Sequence, residues 1–417
     1  MPLVTSGQIS LNDMHVEAGG TSATQCSLND ADIRGLIGKS SGAQSQFNEF
    51  YGASSVQYIA ITPASGTYTT FDSGDYRFYQ FTGARNTAPL ITNIGSSSSD
   101  RNQLKFKIWG AGGGGGGGGQ YDGADGGAGG HTRGYYIPTA TGYLRVQVAS
   151  GGEGGQNMNS GLRPSGGAGG QPSSISSTNL LGGDGGDGFS QISTAETGGG
   201  GGGGGATRFR TNWSASSPSS PAFEVWIGGG GGGGGSDQAA SGTPTAGGSG
   251  GATNAGGGLN YTSGLSASSI GNSGGGGGAT SSAGGAGGAL TSGGAAGQAG
   301  VLYHGGDGGT GPSNSFGGAG GGGAGQYGGG GGATGSSSQA AGGGGGSGNH
   351  SGSVSITASN RQSLGNRIAT DTTQLGFVNG SSQGGSKGLQ ELSPNFSGTR
   401  AGSGGSGCVV LYHRFRN

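Results

Sequence analysis

Phe106-Lys107-Ile108-Trp109-Gly110-Ala111 runs straight into Gly112 to Gly119, and Phe223-Glu224-Val225-Trp226-Ile227 runs straight into Gly228 to Gly235. Each apolar, aromatic-rich stretch reads as a strand, and each launches a run of backbone without side chains. A flexible glycine linker behaves as a random coil and has no use for a strand at its origin. These two junctions therefore predict ordered glycine.

Outward from them the pattern repeats. Gly201 to Gly205, Gly274 to Gly278, Gly328 to Gly332 and Gly342 to Gly346 are pure glycine. G-G-x triplets lie between, as in Gly126-Gly127-Ala128-Gly129-Gly130-His131, Gly151-Gly152-Glu153-Gly154-Gly155-Gln156, Gly182-Gly183-Asp184-Gly185-Gly186-Asp187 and Gly305-Gly306-Asp307-Gly308-Gly309-Thr310. A period of three matches a polyproline-II-type helix, which has three residues per turn and no internal hydrogen bonds. Its N–H and C=O groups all need outside partners, and without Cβ atoms such helices can approach closely enough to bond one another. Pure runs then suit the middle of a bundle. G-G-x runs suit its edge, with the third residue facing outward. Ordering glycine costs more backbone entropy than ordering any other residue, so only a dense hydrogen-bond lattice offsets it.

Composition supports this and excludes much else. Of 417 residues 116 are glycine, only 9% are charged and 29% are hydrophobic, against about 25% and 45–50% in average domains. So few large apolar residues cannot fill the core of a helix bundle, a Rossmann sheet or a TIM barrel. A formal net charge of -1 gives no reason to expect nucleic acid or an anionic membrane as partner. Cys26 and Cys408 are the only cysteines, too few for a disulfide framework or a zinc pattern. The opening MPLVTSGQISLNDMH lacks the basic and apolar regions of a signal peptide, and no run of apolar residues is long enough to insert in a membrane.

Three zones follow. Residues 1–54 have ordinary composition, and Ser27 to Asp32 before Ile33, Leu36 and Ile37 predicts a short capped helix. Residues 55–103 form a β-rich connecting region, with strands at Val56–Ile61 and Tyr76–Phe81. Residues 104–417 hold the glycine, with strands at Leu104–Trp109, Tyr135–Ile137, Tyr143–Val148, Phe223–Ile227 and Val409–His413.

Candidate chemistry is thin. Gly35-Leu36-Ile37-Gly38-Lys39-Ser40 ends like a phosphate-binding loop, but Ile33 stands where its first glycine belongs and no strand precedes it. Gly182 to Ser190 fits the calcium-binding nonapeptide, yet the next candidate has Thr310 in place of the ligand Asp. An exposed lattice edge is the simpler expectation for Asp184 and Asp187. His15, His131, His304, His350 and His413 show no metal-binding spacing, and His131 and His304 are expected to point out of the bundle. The acids mark no cleft of paired carboxylates. The chain is therefore expected to be no enzyme and to carry no cofactor and no metal. Loops between glycine tracts are richer: Tyr121, Arg163, Trp213, Tyr261, Phe316 and Tyr327, with Asn157 and Met158, sit among Ser, Asn and Gly. That is the composition of a recognition surface on a stiff scaffold.

The block FKIWGAGGGGGGGGQ, GGAGGHTRGYYIP, GYLRVQVASGGEGG, GGGGGATRFR and VWIGGGGGGGG resembles the glycine-rich extracellular region of the anaplastic-lymphoma and leukocyte receptor tyrosine kinases. It is also similar to glycine-rich tail-fibre proteins of tailed phages, including the distal adhesins of T-even phages. The opening SGQISLNDMHVEAGGTSATQCSLNDADIRGLIGKSSGAQSQFNEFYGAS looks like the first segment of many tailed-phage tail proteins, and the receptor kinases lack it. The resemblance implies a fold that is mostly β and irregular: a small N-terminal attachment domain, then a β-sandwich-like domain with an inserted bundle of polyglycine-II helices. It implies a tail-fibre or tail-tip protein of the virion, made in the host cytoplasm. Residues 1–54 would join other virion tail proteins, and loops on the glycine scaffold would bind a host cell-surface polysaccharide or outer-membrane protein. A homotrimer and a single chain on the end of a fibre both fit, and a non-adhesive structural virion component is the alternative.

Overall fold

A computed structural model describes residues 3–37, 39, 42–53, 59–63, 68–92, 102–119, 121–138, 141–157, 164–171, 181–188, 197–211, 223–235, 246–248, 250–251, 276, 278–280, 282–289, 294–311, 317–334, 340–352, 354–360, 374–379, 381–387 and 399–415. The first fifty residues make their own small core. Helix α1 (Leu11–Glu17) starts at a reciprocal cap. Ser10 Oγ accepts from the Asp13 N–H at 3.1 Å, and the Asp13 carboxylate accepts from the Ser10 N–H at 2.8 Å. The Ser10 hydroxyl holds the Asp13 carboxyl below its ordinary value. Helix α2 (Ala31–Gly35) follows Asp30 where a capped helix is expected, but the Asp30 carboxylate caps nothing in it and accepts the Ser27 N–H at 2.8 Å instead. Met14, Ile33, Phe50 and Leu3 pack together between these helices and a single 3-10 turn at Phe47–Phe50.

The rest is mostly β, in two antiparallel sheets. Strands β1 (Ala60–Thr62), β5 (Leu90–Thr92), β8 (Gly142–Val148), β9 (Thr207–Thr211), β10 (Phe223–Ile227) and β11 (Asn349–Gly352) lie side by side in that order, and β4 (Arg85–Thr87) also pairs with β8. The second sheet runs β12 (Val354–Asn360), β7 (His131–Tyr136), β6 (Leu104–Trp109), β13 (Cys408–Arg414), β3 (Tyr76–Thr82) and β2 (Thr69–Ser73). Alternate residues of both sheets form one core, in which Phe106 and Phe209 meet at 5.5 Å between ring centres. Strands of the zone 55–103 are built into both sheets. Strand β3 pairs along its whole length with β13 at the far end of the chain, and β4 and β5 pair with β8. The expected strand at Val56 is described only from Ala60 onward, and β7 ends at Tyr136, one residue before the predicted Ile137.

Glycine segments continue these strands at one end of both sheets. Gly110, Ala149, Gly228, Gly130, Ala206, Gly348 and Gly407 each adjoin a strand end. Beyond that line the bonds change period from two to three. Gly110, Gly113 and Gly116 donate to Gly130, Gly127 and Ala124; Ala111, Gly114 and Gly117 donate to Gly205, Gly202 and Gly199; Gly112 and Gly115 donate to Gly405 and Gly402. Three other segments donate back: Gly230 and Gly233 to the carbonyls of Ala111 and Gly114, Gly152 and Gly155 to those of Gly112 and Gly115, and Gly385 to that of Gly113. The run is thus enclosed on every side by backbone. Gly228 to Gly235 is enclosed likewise, donating to the segments around Gly248, Gly321 and Gly114 and accepting from those around Gly127, Gly343 and Gly201. The glycine 284–289 segment shows the edge: Gly285 and Gly288 are buried and bonded to Gly328 and Gly331, while Ala286 and Ala289 are exposed.

Candidate binding surface

Hydrogen-bond registers order the lattice along its length, from the sheet line at Gly110 to a far end at Gly118. Gly118 and Gly123, Asn157 and Pro164, Gly188 and Thr197, Gly235 and Ala246, Gly311 and Gly317, Thr334 and Ala340, and Lys387 and Thr399 all lie at that far end. The lattice thereby gathers these residues at one end.

Tyr121 lies between Gly118 and Gly123, half-buried, and its carbonyl accepts from the Gly119 N–H at 2.9 Å. Beside it Asp122 pairs with Lys387 at 2.7 Å, and the Lys387 backbone N–H donates to Asp125 Oδ1 at 2.9 Å. Asn157 is not presented to solvent. It is buried, its Oδ1 accepts the N–H of Gly118 at 2.8 Å, and its amide donates to Thr399 Oγ1 at 3.0 Å. It ends the central run as a side-chain cap, where a missing glycine neighbour would leave a buried donor unpaired. Tyr327 stands at the opposite end of the lattice. Its carbonyl accepts from Ser347, which leads into β11, and it bridges Leu302 next to Tyr303, whose ring stacks on Trp226 at 5.1 Å. Tyr121 and Tyr327 therefore share no surface. Arg163, Trp213, Tyr261 and Phe316, with Met158, lie outside the described residues. Thr211 and Phe223, which flank Trp213 in sequence, sit at the strand ends remote from the lattice.

The acids of the G-G-x triplets do something the sequence did not announce. Asp187 Oδ1 accepts the Gly166 N–H at 2.9 Å, Asp184 Oδ1 accepts that of Gly169 at 2.7 Å, and Asp307 Oδ1 accepts that of Asp184 at 2.9 Å. Among the described residues no carbonyl reaches these donors at the lattice edge, and a carboxylate stands in for one. The signal was present in the period, since Asp occupies the third position of each triplet, where an edge segment has a face to spare.

His131 contradicts its expectation. It is fully buried and stacks on Trp109 at 4.6 Å, because it opens β7 directly opposite Trp109 in register instead of ending a glycine run at the surface. His413 is also buried, and burial lowers its pKa. Burial pushes the Cys408 thiol up to about 12, which leaves it unreactive. The incomplete phosphate-loop pattern overlaps the end of α2 at Gly35, with Ile33 in the core and Lys39 paired to Glu49. Among the described residues no group of His, Cys, Asp and Glu is arranged to hold a metal ion, and no helix is long and apolar enough to cross a membrane. Compared with models of protein families and with curated proteins, the chain matches none.

Proposed function

We propose that the two sheets form a β-sandwich with an inserted bundle of polyglycine-II helices, and that the chain is a phage tail-fibre or tail-tip protein. On this reading it binds the host cell surface through loops on the bundle, and residues 1–54 join it to other tail proteins. Its work is binding, not catalysis. The observation that carries the proposal is the enclosed run Gly110–Gly118, which bonds to different segments at successive residues with a period of three. A three-residue helix with every peptide group bonded sideways is a rod. A rod gives loops a fixed platform, and pre-ordering a platform lowers the cost of binding. Several copies on one particle would multiply weak contacts. The separate core of Met14, Ile33 and Phe50 supports a distinct N-terminal module.

Immunogold electron microscopy of intact tailed-phage particles, with antibody raised against residues 110–417, tests the assignment. Label at the tail tip or fibre ends is expected. Label over the capsid, or on no particle, overturns it.

A further inference from the structure

Among the described residues nine large apolar side chains are exposed, and four of them, Val4, Val16, Phe47 and Tyr51, belong to residues 1–54. A module this small has few apolar residues to leave in water, so their concentration there marks a contact surface. Val4 and Val16, 50% and 44% exposed, stand on opposite walls of a groove of about 520 Å³. One wall is α1. Its Met14 turns inward to Ile33 and Phe50, while Asn12, Asp13 and Val16 line the groove. The other wall is residues 3–9, through Leu3, Val4 and Ile9. This wall is fastened to the end of the module. The Leu3 N–H donates to the Ala53 carbonyl and the Gly52 N–H to that of Val4, both at 3.0 Å, and the Tyr51 hydroxyl donates to the Gly7 carbonyl at 2.6 Å. The module itself thus holds both walls in place.

Charge decides what fits between them. Residues 1–54 hold five carboxylates, on Asp13, Glu17, Asp30, Asp32 and Glu49, against two cations, Arg34 and Lys39. Both cations are held inside the module: Lys39 pairs with Glu49, and the buried Arg34 donates to the Ala43 carbonyl. The whole chain has a net charge of only -1, so its acid excess is concentrated here. Asp13 is exposed on the groove, and hydrogen bonds from the Ser10 hydroxyl and N–H hold its carboxyl below the ordinary value, which keeps it ionised. An acidic surface repels nucleic acid and anionic lipid. A second copy docked groove to groove would bring carboxylate against carboxylate. We propose that the groove binds a short segment of another tail protein, whose apolar side chains lie between Val4 and Val16 and whose flanking lysine or arginine pairs with Asp13. Such a cation serves both features of the groove, because its stem is apolar and its head is charged.

The proposal deepens the tail-attachment reading of residues 1–54 and rests on it for the source of the partner. Its chemistry is tested on the purified full chain without any particle, so a failed binding assay and a failed particle-labelling experiment remain distinct results. The probe is a library of short immobilised peptides of random composition, with saturation binding measured for those retained. Retained peptides are expected to combine aliphatic or aromatic residues with lysine or arginine. Replacing their cations by glutamate, or their apolar residues by serine, should abolish binding. Val16→Lys and Val4→Lys should each weaken binding at least tenfold and melt with the parent, since both positions are exposed; should one variant fail to fold, the other decides. Val301→Lys, at an equally exposed position on the lattice, should bind as the parent does. Absence of saturable binding overturns the proposal, as does a preference for acidic peptides or binding undiminished in the groove variants. A parent dimer in sedimentation that Val16→Lys dissociates would assign the groove to a second copy and overturn the partner.

Discussion

A methyl group added at Gly114 would lie 1.9 Å from the carbonyl oxygen of Glu153. At Gly113 it would lie 2.1 Å from that of Gly231, and at Gly115 2.1 Å from that of Ser386. Three successive residues thus face three separate segments, and the obstacle each time is backbone, which cannot rotate away. Glycine is needed here for close approach and not for a left-handed conformation. Gly114→Ala should therefore destabilise the protein by about 3 kcal/mol, the upper part of the usual cost of overpacking. Gly142→Ala is its control. No atom lies within 4 Å of a Cβ at Gly142, so the loss of unfolded-state entropy should stabilise by roughly 0.4–1 kcal/mol. Denaturant melts of the two variants beside the parent decide it. Equal melting of all three would show that the glycine run is not packed.

At the scale of single elements, the edge segment Gly182–Gly188 stays paired on its outer side because a side chain replaces a missing neighbour. Removing the Asp187 carboxylate leaves the Gly166 N–H without its acceptor, at a cost of about 1 kcal/mol for a half-buried donor. Asp187→Ala should accordingly speed hydrogen exchange at Gly166, while Asp187→Asn, which keeps an amide oxygen in place, should leave it slow. Undisturbed exchange at Gly166 in Asp187→Ala would remove the capping role. The same scale shows what could be read in advance. The strands at Tyr76, Leu104, Tyr143, Phe223 and Val409 were legible because apolar residues alternate or cluster there, and the helix at Ala31 because Asp30 precedes it. Helix α1 was missed although Ser10-Leu11-Asn12-Asp13 spells its cap. Strand β9 was not identified because its five residues hold two arginines around a single core residue, Phe209. Cross-chain pairing, such as β3 with β13, leaves no local trace. Of the candidate surface, aromatic residues pointed to loops, but which end of the lattice holds Tyr121 and which Tyr327 depends on registers that glycine runs do not encode.

Across the whole molecule the two kinds of order meet at one line, and they differ in period. Side chains hold the sheets together, with a repeat of two; peptide groups hold the lattice together, with a repeat of three. Exchange of backbone hydrogens reads that difference directly. In the enclosed run, Gly110 to Gly117 all donate to other segments, so their amides should exchange uniformly slowly. In the edge segment, Gly285 and Gly288 donate to Gly328 and Gly331, whereas among the described residues Ala286 and Gly287 meet no backbone acceptor. Slow exchange there should fall on every third residue. An edge strand of a β-sheet would instead alternate every second residue, and a disordered glycine linker would exchange fast throughout. Residue-resolved NMR over 284–289 and 110–118 separates the three cases. A two-residue alternation at the edge would mean that the glycine region is sheet, and uniform fast exchange in the central run would mean that it is not ordered. The physical ground for expecting period three is geometric: only a backbone with three faces lets one run contact neighbours all around it, and the distances at Gly113, Gly114 and Gly115 leave no room for any side chain on those faces.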